Sequence, residues 1–395
     1  MTGSAETTPA GTAPVRPYIG GQALLEGVMM RSPRSFAIVC RRRNGELCVR
    51  ERPIADERTG VRAFPFVRGM VTLVESLRLG SEALKYSFKI FEQDLNEEAA
   101  GAPAKVGRAG LSTLSLRSWA SRGLAALSLP IVSLVTRADG DGPSSSPAPD
   151  EEGGAGLLKL VPILFALGLF VAAPQAGANL LNRVFHLGLD LRSPWFQLLT
   201  GVMKLTIIIS YMSLQRWVPE TRRIFQYHGA EHKTISAYEA SEALVVANAR
   251  TKTRLHPRCG STFLVMVAMV SVVVFSLISP FLPHLSVANG WGENLMLFAM
   301  KLPFIPVIAG VTFELQRLFA RHCATGPLRV LLWPGFLVQR ITTIEPDDDQ
   351  LEVALASLRA TLWREQAPAV APVVVTEQRF PSYGALASEG GYAAT

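Results

Sequence analysis

TFLVMVAMVSVVVFSLISPFL, residues 262–282, is the stretch that decides the fold. Its 21 residues include no charged side chain, and as an α-helix they are long enough to cross a hydrocarbon core of about 30 Å. Three further apolar runs of similar length lie at residues 157–181, 195–214 and 295–315. The sequence therefore predicts an α-helical multi-pass membrane protein with four transmembrane helices.

The composition of the whole chain agrees with this interpretation. Of the 395 residues, 49% are hydrophobic and only 18% are charged, which is too apolar for an ordinary soluble protein of this length. Four cysteines are too few for a disulfide-stapled secreted module, and the N-terminus lacks the form of a cleavable signal. A disulfide-stapled secreted module is therefore excluded.

Basic residues are concentrated in the loop between the second and third predicted spans. Residues 216–258 hold eight Lys and Arg side chains against four acidic ones, whereas the connections 183–194 and 284–294 hold two basic residues between them. By the positive-inside rule this loop, taken as residues 216–260, is cytoplasmic, and so are both termini. We expect the lipid bilayer to be a partner and the thiols to be reduced.

A small cytoplasmic α+β region is predicted before the spans. Asn44-Gly45 lies between two β-rich stretches and favours a two-residue hairpin turn, which would place Cys40 opposite Val49. Apolar residues spaced by three and four between positions 67 and 91 predict a helix that covers the sheet or, alternatively, lies in the membrane interface.

Shifts in composition divide the chain into six segments. The fourth is the four-span membrane domain, and the first and last segments lack the periodicity of a folded segment. The predicted segments are a disordered tail (1–17), the hairpin and helix region (18–98), a low-complexity linker (99–156), the membrane domain (157–325), an interfacial segment with a C-terminal helix (326–366) and a second disordered tail (367–395).

The basic loop also contains the most concentrated group of reactive side chains. A helix predicted from Pro219 onward places His228, Glu231 and His232 on one face, because these positions are three and four residues apart. Two imidazoles one turn apart can bind one metal ion. His-x-x-Glu-His is also the inverted zinc-peptidase order, in which the Glu acts as general base.

His256 and Cys259 follow in the same loop and raise the number of candidate ligands to four. Nitrogen and sulfur donors of this kind are preferred by zinc, so a divalent metal, most readily zinc, is the expected cofactor. Four protein ligands would make a closed structural site, and three would leave a position for catalysis. The alternative is an exposed polar helix followed by a small buried cysteine.

Near the N-terminus, Gly20-Gly21-Gln22 and Glu26 are further candidates. A Gly-Gly-Gln loop presents its glutamine to peptidyl-tRNA in peptide release factors, although two glycines that permit a tight turn before a buried strand explain the motif more simply. Glu26 lies in an apolar run, where a carboxylate is costly unless it is paired, so it is a candidate metal ligand or catalytic base.

Ionisable residues within the predicted spans are functional candidates by default. Glu314 and Arg317 are three residues apart at the cytoplasmic end of the fourth span, and this spacing favours an interfacial ion pair. Lys204 and Lys301 have stems long enough to extend outward along the helix toward water.

Five stretches of the chain resemble, in the same order, the YqhQ-type family of bacterial membrane proteins, a domain of unknown function described as metal-dependent enzymes. The resemblance implies a multi-pass protein of the bacterial cytoplasmic membrane, and its motifs fall on Gly20, Gly21, Gln22, Glu26, His228, Glu231, His232, His256 and Cys259. The five stretches are GGQALLEGVMMR (20–31), YHGAEHKTISAYE (227–239), HPRCGSTF (256–263), FELQR (313–317) and WPGFLVQRITTIEPDDDQLEVA (333–354).

Two classes of function follow from these observations. In the first, the protein is a metal-dependent hydrolase in which Glu231 activates water beside a metal held by His228 and His232. In the second, zinc is structural and the protein is a membrane scaffold for a cytoplasmic protein partner. A ribosome-linked factor or a transporter has less support, and direct nucleic-acid binding is not expected.

Overall fold

The protein is represented by a computed structural model that describes residues 16–54, 60–65, 67–101, 164–165, 168–283, 290–323, 326–366 and 376–393. Most of the first predicted tail and of the predicted linker therefore lie outside the described residues, as does part of the predicted first span.

Across the residues that the structure describes, five strands form one antiparallel sheet in the order β1 to β5. Successive side chains of a strand point to opposite faces, and in β2 and β3 both faces are buried, so these two central strands have nearly continuous apolar sequences. The strands are β1 (Gly20–Leu24), β2 (Gly27–Arg31), β3 (Ser35–Arg41), β4 (Leu47–Pro53) and β5 (Thr376–Phe380).

The hairpin between β3 and β4 is present, but its predicted register is wrong by one residue. Cys40 pairs with Cys48 rather than with Val49, and both thiols are free. The turn has three residues rather than two, because Gly45 has a φ of 92° and donates its N–H to Arg42 O across a 3.0 Å bond. Asn44-Gly45 thus occupies the end of a type I turn instead of forming a two-residue loop.

Twelve α-helices lie within the described residues. They are α1 (Val67–Gly101), α2 (Ala173–Val184), α3 (Pro194–Gln215), α4 (Pro219–Glu239), α5 (Val246–Thr251), α6 (Gly260–Ile278), α7 (Gly290–Lys301), α8 (Ile305–His322), α9 (Trp333–Thr342), α10 (Asp348–Gln366), α11 (Tyr383–Ser388) and α12 (Gly390–Ala393).

Two layers of helix cover the sheet. On one face, α1 packs Leu79, Ala83 and Ile90 against the strands. On the other face, α4 and α10 form a larger core whose members include Leu351, Ala354, Leu358 and Leu362 of α10. The sheet therefore joins residues from both ends of the chain into one core.

Helix α1 is the predicted amphipathic helix, but it buries a different stripe along its first half. Val67, Val74 and Leu77 are 41%, 60% and 54% exposed, whereas the residues that cover the sheet begin at Leu79. The first half instead lies beside α8, where Arg68 donates to both carboxylate oxygens of Glu314 at 2.7 and 2.5 Å. Glu314 therefore pairs with Arg68, not with Arg317 as its spacing predicted.

In the described part of the chain, three helices are long and apolar enough to cross a membrane. They span residues 194–215, 260–281 and 296–322, and they agree with the second, third and fourth predicted spans. The predicted first span, 157–181, is only partly described: residues 168–172 form a helical turn that continues into α2. The structure is thus compatible with a multi-pass membrane protein.

The predicted disordered C-terminal tail is wrong for residues 376–393. Strand β5 pairs with β4 through five residue pairs, from Leu47 with Phe380 to Glu51 with Thr376. Leu386 and Tyr392 of the two following helices are buried in the core beside α10. A short strand after a Pro-rich stretch carries little periodicity, and it forms here because the edge of β4 has backbone groups to pair.

Candidate metal centre

Helix α4 positions three of the predicted site residues. Pro219 occupies its first turn, where the missing N–H costs nothing, and the helix continues to Glu239 as predicted. His228, Glu231 and His232 lie on the face directed toward the start of α6 and away from the core contacts of Tyr227 and Ala230. The helix is buried from Gly229 to Ile235, so these polar side chains are held in place by their surroundings.

Cys259 completes the group from the loop before α6. It is the residue that immediately precedes that helix, and its Sγ lies 3.1 Å from His228 Nε2 and 3.0 Å from Ser261 Oγ. Ligand atoms of His228, His232 and Cys259 all lie within 4.8 Å of one another. The three side chains therefore form a buried group that could hold a metal ion.

Backbone carbonyls fix the orientation of both imidazoles. His228 donates its Nδ1–H to Thr342 O at 2.9 Å, and His232 donates its Nδ1–H to Arg254 O at 2.5 Å. A carbonyl only accepts, so each ring carries its proton on Nδ1 and directs Nε2 into the group. Histidines that ligate metals are oriented by hydrogen bonds of this kind.

The charges of the group are strongly coupled. Burial disfavours the charged form of Cys259, but His228 and His232 outweigh it and hold the pKa of the thiol well below its ordinary range. Burial also opposes the charged form of His228, yet the thiolate raises the pKa of this imidazole to about 9. Cys259 and His228 therefore favour each other's charged forms, and a divalent cation that binds the sulfur would release a proton from the pair.

His256 lies next to the group but does not belong to it. Its ring is 5.7 Å from that of His232, centroid to centroid, and its Nδ1 accepts the N–H of Arg258 at 3.4 Å. Its Nε2 lies 3.3 Å from the Glu239 carboxylate. Burial lowers the pKa of His256 to about 4, so the ring is neutral and both nitrogens are occupied by protein groups. Of the two candidates for the third ligand, Cys259 fits and His256 does not.

Glu231 is buried beside the three candidate ligands and touches strand β1. A Cβ added to Gly21 would lie 2.8 Å from three atoms of the Glu231 side chain, so only glycine leaves room for this carboxylate. Burial raises the pKa of Glu231, against the opposing charges of His228 and His232. A carboxyl group with a raised pKa next to candidate metal ligands is suited to accept a proton.

Gln22 and Glu26, the other N-terminal candidates, lie elsewhere. Gln22 is in β1, and its side-chain oxygen contacts Gly80 of α1 on the opposite face of the sheet. Glu26 is in the turn between β1 and β2 with a φ of 53°, and it accepts hydrogen bonds from Arg223, one of 2.6 Å, and from the Tyr227 hydroxyl at 3.2 Å. The cation that compensates Glu26 is therefore Arg223 of α4, and the carboxylate is not part of the metal group.

Gln339 is a site residue that sequence reasoning missed. This fully buried amide of α9 accepts the N–H of His256 at 2.8 Å and donates to His256 O at 2.6 Å and Thr262 Oγ1 at 2.7 Å. It therefore fixes the loop that carries Cys259. The signal in the sequence was a single amide inside the apolar run before Arg340.

Lys233 is a second missed residue and connects α4 to the segment before α10. Its buried ammonium group pairs with Glu345 and donates to Arg250 O at 2.8 Å. Next to it, Gly229 contacts Ile344 O, and Ile344 donates its N–H to Phe225 O at 2.9 Å. These contacts hold the segment that supplies the Thr342 carbonyl to His228.

The fold and the site together define a helical protein with candidate membrane spans and a buried His₂Cys group between its sheet region and one of those spans. The chain belongs to the family described as "Protein of unknown function (DUF1385)", whose model matches residues 64–364. It is 27% identical over 350 residues to "Uncharacterized protein YqhQ" of Bacillus subtilis (strain 168), covering 88% of this chain and 93% of that protein. No solved structure matches the chain. The family predicted from the five motifs is thereby confirmed.

Proposed function

We propose that this protein is a zinc-dependent hydrolase of the cytoplasmic membrane. The observation that carries the proposal is the group formed by His228, His232 and Cys259, with their ligand atoms within 4.8 Å of one another beside the buried Glu231.

The donor set fits zinc. Two imidazole nitrogens and one thiolate are borderline and soft donors of the kind that zinc takes, whereas magnesium and calcium take oxygen ligands. Three protein ligands are typical of catalytic zinc sites, since structural sites usually have four. The fixed Nδ1–H bonds to Thr342 O and Arg254 O would keep both Nε2 atoms available.

Bound zinc would supply Lewis-acid chemistry at this place. Within the chain, Glu231 would accept a proton from the attacking water, and its raised pKa would let it return that proton to the leaving group. Gly21 would keep space for the carboxylate, and Gln339 would hold the loop that presents Cys259.

The proposed location follows from the position of the group. Cys259 directly precedes α6, a candidate span, and the group lies in the loop with eight basic residues. If that loop is cytoplasmic, as the positive-inside rule indicates, then the metal centre and both termini are at the cytoplasmic face.

The metal content of the purified full-length protein tests the proposal. We expect about one zinc per chain in the wild type and almost none in His228→Ala/His232→Ala, while His322→Ala, which changes an exposed histidine of α8, retains it. His256→Ala should retain most of the zinc because its ring nitrogens bind protein groups. Equal and near-zero zinc in all four proteins would refute the proposal.

A structural zinc site in a membrane scaffold is the second candidate, and burial favours it. His232 is 1% exposed, and Glu231 and Cys259 are each 5% exposed, which leaves little surface for a substrate to reach. In this interpretation the metal would fasten α4 to the start of α6, and the sheet region would bind a cytoplasmic protein.

Cobalt substitution separates the two candidates. Cobalt reports its coordination number through its visible absorption, so a small anion such as azide should alter the spectrum if a coordination position is open. A structural site would give a spectrum that azide leaves unchanged. Glu231→Gln should keep the metal and the spectrum in both cases, and it should abolish function in cells only if the site is catalytic.

A further inference from the structure

A large cavity lies between the candidate spans, away from the metal group. It has a volume of about 1290 Å³, which exceeds the roughly 300–1,000 Å³ of common small-molecule pockets. Its walls are supplied by α2, α3, α6, α7 and the start of α8, and most of the lining side chains are apolar. A cavity of this size can hold a molecule with a long apolar portion.

The charged groups of the lining are all positive. Lys204, Lys301 and Arg183 line the cavity, and no Asp or Glu is found among its lining residues in the described part of the chain. The two lysines do not extend outward along their helices toward water, as their long stems had suggested, but share this inner space. An uncompensated charge between spans is costly, so such groups mark binding sites.

Among the described residues, neither lysine has an acidic partner. Lys301 donates to Gln197 Oε1 at 2.8 Å and lies 5.2 Å from the centre of the Phe275 ring. Lys204, at the middle of α3, makes no hydrogen bond or ion pair with any described residue. The cavity thus combines a positive polar portion with a long apolar one.

We propose that this cavity binds an amphiphile with one acidic headgroup and an apolar chain. The acid, a carboxylate or a phosphate, would lie between Lys204 and Lys301, because only a negative group compensates both ammonium ions. The chain would follow the apolar wall toward Leu264, which is five residues beyond Cys259 in the sequence. This site is separate from the proposed zinc centre and does not depend on it.

Binding of matched lipids to the full-length protein in a neutral detergent tests the proposal. Oleate and oleyl alcohol have the same chain and differ in charge, and oleoyl lysophosphatidic acid and lysophosphatidylcholine form a second pair. Native mass spectrometry gives the dissociation constant of each. We expect at least one acid to bind about tenfold or more tightly than its neutral partner. Tight binding of oleate alone would show that the headgroup is a carboxylate. Tight binding of oleoyl lysophosphatidic acid alone would show that it is a phosphate.

Variants locate the site. Lys204→Gln/Lys301→Gln should weaken acid binding by about tenfold or more and leave the neutral lipids unchanged, whereas Lys85→Gln/Lys89→Gln, which removes two exposed charges from α1, should change nothing. Ala268→Phe, which fills part of the cavity without changing its charge, should weaken the binding of every lipid. Equal binding of oleate and oleyl alcohol by the wild type would overturn the proposal, and this result does not depend on whether any variant folds. Unchanged acid binding by the lysine double variant would also overturn it.

Discussion

Glu51 is a buried carboxylate whose replacement gives a pH-dependent gain in stability. It lies in β4 on the face covered by α10 and is 1% exposed. Burial raises its pKa to about 7, against the opposing effects of Arg364 and Tyr392, from an ordinary value of 4.5. We expect Glu51→Gln, which mimics the neutral form, to be more stable than the wild type.

The sign and size follow from the two pKa values. The folded state holds the proton more tightly than the unfolded state, so the wild type loses stability as the pH rises from about 4.5 to about 7. One pKa unit is worth about 1.36 kcal/mol, which gives a penalty of about 1 kcal/mol at pH 5 and about 3 kcal/mol at pH 8. The free energy of unfolding of Glu51→Gln should exceed that of the wild type by these amounts.

Urea unfolding in detergent, followed by circular dichroism at pH 5 and pH 8, measures the gain. Glu92→Gln is the matched control, because it removes a carboxylate from an exposed position on α1 and should change stability little at either pH. A gain of the same size at both pH values would refute the reasoning, since a packing effect does not depend on protonation. A loss at pH 8 would show that Arg364 stabilises the charged form more than burial penalises it.

Three further predictions concern the contacts around the site. Gly21→Ala should lower the free energy of unfolding by about 1–3 kcal/mol, because the new Cβ would overlap Glu231, and zinc content should stay unchanged if that carboxylate is not a ligand. Leu358→Ala should cost about 2–5 kcal/mol in urea unfolding with an unaltered slope, because this side chain is fully buried in the larger core; a cost below 1 kcal/mol would contradict that placement. A double-mutant cycle on Arg68 and Glu314 should give a coupling of about 1 kcal/mol, since both side chains are partly exposed, and no coupling would refute the pairing.

The sequence predicts best where one physical effect dominates. Long apolar runs with few charged residues are explained only by burial in an apolar environment, and three of them correspond to helices of suitable length. The position of His228 and His232 on one face of α4 follows from helical periodicity alone. These features need no knowledge of distant contacts.

Features that depend on contacts between residues far apart in the chain could not be predicted from local sequence patterns. Cys259 and His256 are equally good ligands by type and spacing, and the difference between them arises because Glu239 and the Arg258 N–H occupy the His256 ring. Glu314 has a basic residue three positions away, but Arg68 reaches it from a helix 246 residues earlier in the chain. The register of the β3–β4 hairpin depends on one additional turn residue that the Asn-Gly pair does not determine.

The sheet can be completed only late in synthesis, because α10 and β5 lie far along the chain from β1 to β4. Ser32 donates to Glu365, 333 residues later, and α10 does not exist until about 295 residues after the end of β4 have been added. At 5–20 residues per second, this delay lasts on the order of 15–60 s. During that time one face of β2 to β4, with Val28, Met30 and Val39, remains without the helix that covers it. The nascent chain is therefore expected to need a holding chaperone at its N-terminal strands while the segments with the candidate spans are being made.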